Sequence, residues 1–271
     1  MKIKAVVLDI DGTLVNEDKN LPPENARILR SVSSRGVKIV LASGRMTACI
    51  DPFFDAIGID GLIMAYNGAL LRSERKKGRK IVFHRPLTAD IVSELIVFSL
   101  KREYQLNLYF DDALYAQDNK ALAPFRNIYT ERTKADYRLT DIRRFMGSES
   151  SKAVLITDPV ERERLHAFFQ PRIKGAATLI RTDPEYLEFT APGVDKGSAL
   201  QALSDFLGIS MADIMAVGDG PNDVDMVAMA GYGVAVQNAE DSVKKVARYV
   251  TDKTARQGAV AEILQKLAVG T

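Results

Sequence analysis

The chain has 271 residues, 46% hydrophobic and 27% charged, enough for one large or two moderate domains around a sizeable core. Its 37 Lys and Arg against 35 Asp and Glu leave a net charge of +2, and this near balance gives no hint of a nucleic-acid or membrane partner, so neither is expected. One cysteine, Cys49, excludes an intramolecular disulfide and a cysteine zinc cluster. No stretch approaches the roughly 18 apolar residues of a membrane helix. Met1-Lys2-Ile3-Lys4 runs straight into a strand without a leader pattern, so a cytoplasmic setting is expected.

The first strand, Ala5 to Leu8, carries Asp9 and Asp11 at its carboxyl end before Gly12 breaks the run. A continuous Val/Leu-rich strand belongs in a parallel sheet covered on both faces, and such sheets bind ligands outside the carboxyl ends of their strands. Two carboxylates this close repel unless a cation or proton joins them, and Mg2+ suits one or two carboxylates plus phosphate and water oxygens. One carboxylate can then attack phosphorus while the other moves protons. The plainer alternative is an acidic pair that caps a turn.

Pro23 in the first turn starts a helix over 25–35, stopped by Gly36. A second buried strand over 37–42 ends in Ser43-Gly44-Arg45. A hydroxyl and a glycine N–H at the mouth of a helix suit a phosphate oxygen, although on this signal alone Ser43 as the cap of a helix over 45–57 is the favoured reading. Cys49 falls in that helix as a small buried thiol. A third strand over 61–65 meets Asn67-Gly68, a tight-turn pair that opens a hairpin of 69–71 with 81–84. The basic loop between, Arg72 to Lys80, lacks interleaved aromatics and reads as a solvated hairpin tip. His84 and His166 read as structural.

After a linker at 85–88 the pattern changes. A helix over 89–103, strands over 106–110 and 113–116, and helical stretches over 119–129 and 141–146 follow. A strand over 152–157, a helix over 161–169 and paired strands over 177–181 and 186–190 complete an inserted α+β unit. On the way back, Lys196 opens a helix over 197–207, where a cation opposes the helix dipole unless an anion offsets it. A solvated surface lysine is the simpler reading. A strand over 214–217 ends in Gly218-Asp219-Gly220-Pro221-Asn222-Asp223. There Asp219 could complete a metal site, and Asp223 could orient Lys196 or a metal-bound water. A strand over 232–236, a helix over 240–247, an extended 249–251 and a helix over 258–267 close the chain. No G-x-G-x-x-G occurs, so nothing points to a dinucleotide.

Four strand ends thus carry Asp9 and Asp11, Ser43, Lys196, and Asp219 with Asn222 and Asp223, in that order. The set resembles the haloacid dehalogenase-like superfamily of phosphohydrolases. Its D-x-D-G-T-L mark falls at Asp9 to Leu14 and its G-D-x-x-N-D mark at Gly218 to Asp223. The insertion between Ser43 and Lys196, with Asn67-Gly68-Ala69 and Pro192-Gly193-Val194-Asp195-Lys196-Gly197, is similar to the Cof-type branch. The resemblance implies an α/β fold: a Rossmann-like parallel-sheet core over 1–84 and 191–271, with an inserted α+β cap over 85–190 that closes on the site. Arg85, Asp112 and Arg181 are cap residues that could read the substrate.

It also implies Asp9 as nucleophile, forming an aspartyl-phosphate, with Asp11 as general acid and then base. Thr13 would set the loop geometry. The phosphate would be held by the Ile10 backbone, Thr13, Ser43, Gly44, Lys196 and Asn222. Mg2+ would be held among Asp9, Asp11, Asp219 and Asp223. The activity implied is Mg2+-dependent hydrolysis of a small phosphorylated metabolite, a sugar phosphate, by a monomer or homodimer. A phosphohexomutase on the same core and a phospho-acceptor switch are the competing readings. The chain departs from the family's pattern over Thr251 to Val260, a region tied to substrate preference.

Overall fold

Ala5–Asp9 forms the central strand, β1, with every residue buried, as an apolar run covered on both faces requires. The computed structural model describes residues 3–267; Met1 and Lys2, on which the reading of the chain start falls, and residues 268–271 lie outside the described residues. In chain order α1 Pro23–Ser34, β2 Lys38–Ala42, α2 Thr47–Ile57, β3 Leu62–Ala65, β4 Leu70–Arg72 and β5 Ile81–His84 follow β1. The insertion contributes α3 Ala89–Arg102, β6 Gln105–Phe110, β7 Ala113–Gln117, α4 Ala123–Thr133, β8 Tyr137–Thr140, β9 Ala153–Ile156, α5 Pro159–Phe169, β10 Thr178–Arg181 and β11 Tyr186–Thr190. The return comprises α6 Lys196–Leu207, β12 Ile214–Gly218, α7 Val224–Met229, β13 Tyr232–Ala235, α8 Asp241–Val246, β14 Tyr249–Val250 and α9 Ala259–Lys266.

The chain divides into two units, Met1–Phe83 with Asp195–Thr271, and His84–Val194. In the first, the strands run in the order β14-β13-β12-β1-β2-β3-β4-β5. They are parallel from β14 to β3, and β4 is antiparallel to β3. From β1 the chain builds outward through β2 and β3 on one side, then returns to β12, β13 and β14 on the other. The order therefore reverses at β1, and the crevice outside the carboxyl ends at such a switch point is where α/β sheets bind ligands. Asp9 pairs with Ala42 and Leu8 with Val217, so the segments that follow β2 and β12 flank the turn after β1.

The second unit holds a six-stranded sheet, β10-β11-β9-β6-β7-β8. Successive side chains alternate between its faces. Leu106, Leu108, Leu155, Leu187 and Phe189 pack with Val92, Leu95, Leu165 and Phe169 from α3 and α5. Several intervening positions, Gln105, Asn107, Tyr109 and Glu188 among them, are polar yet buried: Lys152 Nζ donates to Glu188 Oε2 at 3.1 Å, and the Tyr109 hydroxyl meets that of Tyr129 from α4 at 2.5 Å.

Several elements differ from the sequence reading for identifiable reasons. α2 begins at Thr47, not Arg45, because residues 43–46 are tied to the turn after β3: Tyr66 N donates to Arg45 O at 3.1 Å and Asn67 N to Ser43 O at 3.0 Å. Cys49 is half-buried rather than buried. Strand β8 has no apolar run to announce it and sits at a sheet edge. Residues 141–146 make only a 3-10 turn, Ile142–Phe145. The basic loop is ion-paired: Arg75 Nη1 lies 2.7 Å from Asp55 Oδ1, Arg79 pairs with Asp51, and Arg79 Nη1 donates to Ser73 O at 3.0 Å. No helix among the described residues is long and apolar enough to cross a membrane.

Candidate active site

The turn after β1 is built from its backbone outward. Leu14 N and Val15 N both donate to Ile10 O at 3.0 Å, which closes the loop and occupies that carbonyl. Gly12 sits at φ +86, a left-handed conformation that favours glycine, and a Cβ there would run into the Asp219 carboxylate. Thr13, fully buried, donates from Oγ1 to Asp219 Oδ1 at 2.6 Å. The loop thus packs directly against the end of β12.

Lys196 is 0% exposed, which disposes of the solvated-lysine reading. Its Nζ donates to Asp9 Oδ1 and to Asp223 Oδ1, each at 2.6 Å. The helix behind it is capped by Asp195, whose carboxylate accepts from Ser198 N at 2.6 Å. Asp9, Asp223 and Asp195 are therefore the anions that offset a cation at this N-terminus. Burial alone would lower the Lys196 pKa, but the charges of Asp9 and Asp223 outweigh it and hold the ammonium protonated. Asp223 Oδ2 accepts from Asp219 N and Gly220 N, both at 3.0 Å. With both oxygens engaged, Asp223 fixes the ammonium on one side and the loop after β12 on the other.

Among the described residues, Asp9, Asp219 and Asp223 each place a carboxylate oxygen within 4.8 Å of the others. Burial pushes the Asp9 carboxyl well up, with Lys196 opposing and Asp223 and Asp219 adding to the rise. Burial likewise pushes Asp219 up to about 6, against the lowering effect of the Thr13 hydrogen bond. Carboxylates crowded this way take up protons unless a cation joins them. No hydrogen bond from the described residues reaches Oδ2 of Asp9 or of Asp219. An all-oxygen donor set, with Oδ2 of Asp219 open, fits a hard divalent cation. Asp9 and Asp219 would hold it.

Asp11 faces elsewhere. Its carboxylate takes a two-pronged bond from Arg45, Nε to Oδ2 at 2.8 Å and Nη2 to Oδ1 at 2.7 Å, and a third from Lys19 Nζ at 2.6 Å. Burial would raise the Asp11 pKa, but the Arg45 and Lys19 bonds outweigh it and keep the carboxyl below its usual range. Ser43, nearly buried, accepts from Arg45 N at 3.3 Å, a turn contact rather than a cap on α2. Gly44 lies against the Asn67 amide, 3.1 Å from where a Cβ would be, and Asn222 Nδ2 donates to Asn67 Oδ1 at 3.0 Å.

Asp9, Thr13, Lys196, Asp219 and Asp223 thus form one bonded cluster, and Asp11, Ser43, Gly44 and Asn222 lie on the loops around it. Sequence reasoning left out three participants. Arg45 had a signal, the strand end beside that of Asp9, but its partner is visible only in space. Asn67 read as a turn residue. Asn238, in the loop after β13, donates to Gly12 O and accepts from Ala255 N, each at 2.8 Å, and had no signal. In the second unit, Arg85 Nη1 donates to Gly193 O at 2.8 Å, Arg181 pairs with Glu163 at 3.1 Å, and Asp112 is a left-handed turn residue.

Known proteins resemble this chain over nearly its whole length. A phosphoglycolate phosphatase of Methanosarcina acetivorans is 29% identical over 267 residues, covering 97% of this chain and 96% of that protein. An HMP-PP phosphatase of Serratia proteamaculans is 27% identical over 244 residues, covering 90% and 87%. The crystal structure of a haloacid dehalogenase-like hydrolase from Bacteroides thetaiotaomicron superposes with a TM-score of 0.89 at 28% identity, covering 98% of this chain and 100% of that one. The model of the haloacid dehalogenase-like hydrolase family matches residues 6–264. The chain belongs to the haloacid dehalogenase-like hydrolases, in their Cof-type branch of phosphatases.

Proposed function

We propose that the chain is a cytoplasmic, Mg2+-dependent phosphatase that hydrolyses a small phosphorylated metabolite, a sugar phosphate, through an aspartyl-phosphate on Asp9. The observation that carries this reading is the buried 2.6 Å pair of Lys196 Nζ with Asp9 Oδ1. It pins one carboxylate oxygen and leaves Oδ2 to meet phosphorus, with a fixed positive charge beside the position where the phosphoryl group would sit. The relatives' names, a phosphoglycolate phosphatase and an HMP-PP phosphatase, fit a small phosphate ester, and the Cof-type resemblance supports a sugar phosphate.

Asp9 Oδ2 forms a bond to phosphorus as the ester oxygen leaves, and Asp11 supplies that oxygen with its proton. Asp11 then takes a proton from the water that attacks the same phosphorus, and inorganic phosphate departs with Asp9 restored. The structure holds Asp11 ionised in the fork of Arg45, the form suited to the second step. For the first step Asp11 must leave that fork and take up a proton from solvent. Ser43, the Gly44 backbone, Lys196 and Asn222 orient the phosphoryl oxygens. When bound, Mg2+ neutralises charge on those oxygens.

A screen of phosphorylated metabolites, with released phosphate as readout and Mg2+ present, tests the assignment. Phosphate release from a hexose phosphate, lost in Asp9→Asn, is the expected result. An isomeric hexose phosphate without free phosphate would identify a mutase instead.

A further inference from the structure

We infer that Asn67 is a direct ligand of the phosphoryl group, presenting its carboxamide N–H2 beside Gly44. The inference rests on the phosphatase reading above. It begins with backbone geometry. Tyr66, Asn67 and Gly68, which join β3 to β4, have φ of 53, 55 and 99, three left-handed residues in succession. A hairpin turn needs that conformation at one or two positions, where glycine and asparagine adopt it readily. Here it extends to Tyr66, a bulky and fully buried residue for which positive φ is a true outlier. Such strain persists only where the surroundings impose it, and it collects at functional sites.

What imposes it is the loop after β2. Tyr66 N donates to Arg45 O at 3.1 Å and Asn67 N to Ser43 O at 3.0 Å, so the turn is clipped to the segment that carries Ser43 and Gly44. The Asn67 carboxamide consequently lies flat on Gly44: a Cβ there would be 3.1 Å from both Nδ2 and Oδ1. Asn222 donates from Nδ2 to Asn67 Oδ1 at 3.0 Å, which sets the amide's orientation. Among the described residues no acceptor takes the Asn67 Nδ2 hydrogens. A half-buried pair of N–H groups is thereby held between Gly44 and Asn222, both phosphate contacts in the proposed mechanism. Preorganised donors aimed at an anion are the device by which such sites bind charge.

Two substitutions separate a ligand from a spacer. Asn67→Gly keeps the left-handed backbone and removes the amide. Asn67→Asp keeps an oxygen that can accept from Asn222 but replaces the N–H2 by negative charge. Binding of orthovanadate with Mg2+ present, by calorimetry, and kcat and KM for para-nitrophenyl phosphate are the readouts, with thermal unfolding as the check on folding. Asn67→Gly should weaken vanadate binding about tenfold or more. Asn67→Asp should weaken it further, by roughly a hundredfold. Near-wild-type vanadate binding by Asn67→Asp would overturn the inference, because it would leave Asn67 only the task of holding Asn222. Wild type that turns over normally beside two unaffected variants refutes this inference alone. Wild type that neither binds vanadate nor releases phosphate refutes the phosphatase reading with it.

Discussion

Replacing Lys196 by Met removes the cation held between Asp9 and Asp223 and leaves its volume nearly filled. Lys196 is 0% exposed, and the Asp9 and Asp223 side chains are 9% and 1% exposed. At an effective dielectric of about 20, Coulomb's law makes each 2.6 Å pair worth about 6 kcal/mol before desolvation. Desolvation of three buried ions cancels much of that, and removing one partner of a buried pair costs about 3–5 kcal/mol because the other charge is stranded. Against a total stability of about 5–15 kcal/mol, this is a large fraction. The loss should depend on pH. Burial already pushes the Asp9 carboxyl up, and without Lys196 its pKa rises further above the unfolded value of about 3.9. In that window the native state binds a proton that the unfolded chain does not, so the variant's stability falls as pH rises. Urea unfolding of metal-free protein, followed by far-ultraviolet circular dichroism, should show a deficit that grows as pH rises through the range in which the variant, but not the wild type, keeps Asp9 protonated. A deficit below about 1 kcal/mol at neutral pH, or one flat across that range, would refute the reasoning.

Other perturbations address the metal site. Gly12→Ala combines a left-handed φ with a Cβ directed into the Asp219 carboxylate. It should cost about 1–2 kcal/mol of stability from the backbone alone and lower Mg2+ affinity at least about tenfold, read by calorimetry; unchanged affinity would remove Asp219 from the site. Asp219, pushed up to about 6, holds a proton in the native state between its unfolded value and that pH, so metal-free stability falls across the interval as pH rises. A binding cation must displace the proton. Affinity for Mg2+ should therefore climb as pH rises through about 6, with proton release detected in buffers of different ionisation enthalpy. A pH-independent affinity would contradict this.

The core was legible because buried parallel strands advertise themselves. β1, β2, β3, β12 and β13 are apolar runs, the carboxyl ends of β1, β2 and β12 carry Asp, Ser or Gly, and the position of the chemistry followed from topology. Lys196 was legible as a misfit: a cation at a helix start needs anions, and Asp9 and Asp223 supply them. What stayed hidden depends on contacts between distant segments. Nothing in Arg45 indicates that its fork closes on Asp11, and nothing in Asn67 separates a turn residue from one held on Gly44. The paired acids of D-x-D likewise suggested a shared partner. In the structure they part, Asp9 to Lys196 and Asp11 to Arg45 and Lys19, because the Gly12 turn carries Asp11 away from the strand. In the second unit, β8 and the buried Lys152–Glu188 pair were obscured by the same feature: polar residues alternate on a sheet face whose cover cannot be inferred locally.

The most direct test is to look for phosphorus on Asp9. Wild-type enzyme is mixed with Mg2+ and para-nitrophenyl phosphate, acid-quenched within one turnover, digested with trypsin and examined by mass spectrometry. The account predicts a hydroxylamine-sensitive phosphoryl group on Asp9, in the peptide that starts at Ala5, and none in Asp9→Asn. Full-rate turnover with that peptide unmodified, and with inverted configuration at a chiral phosphorus, would contradict it.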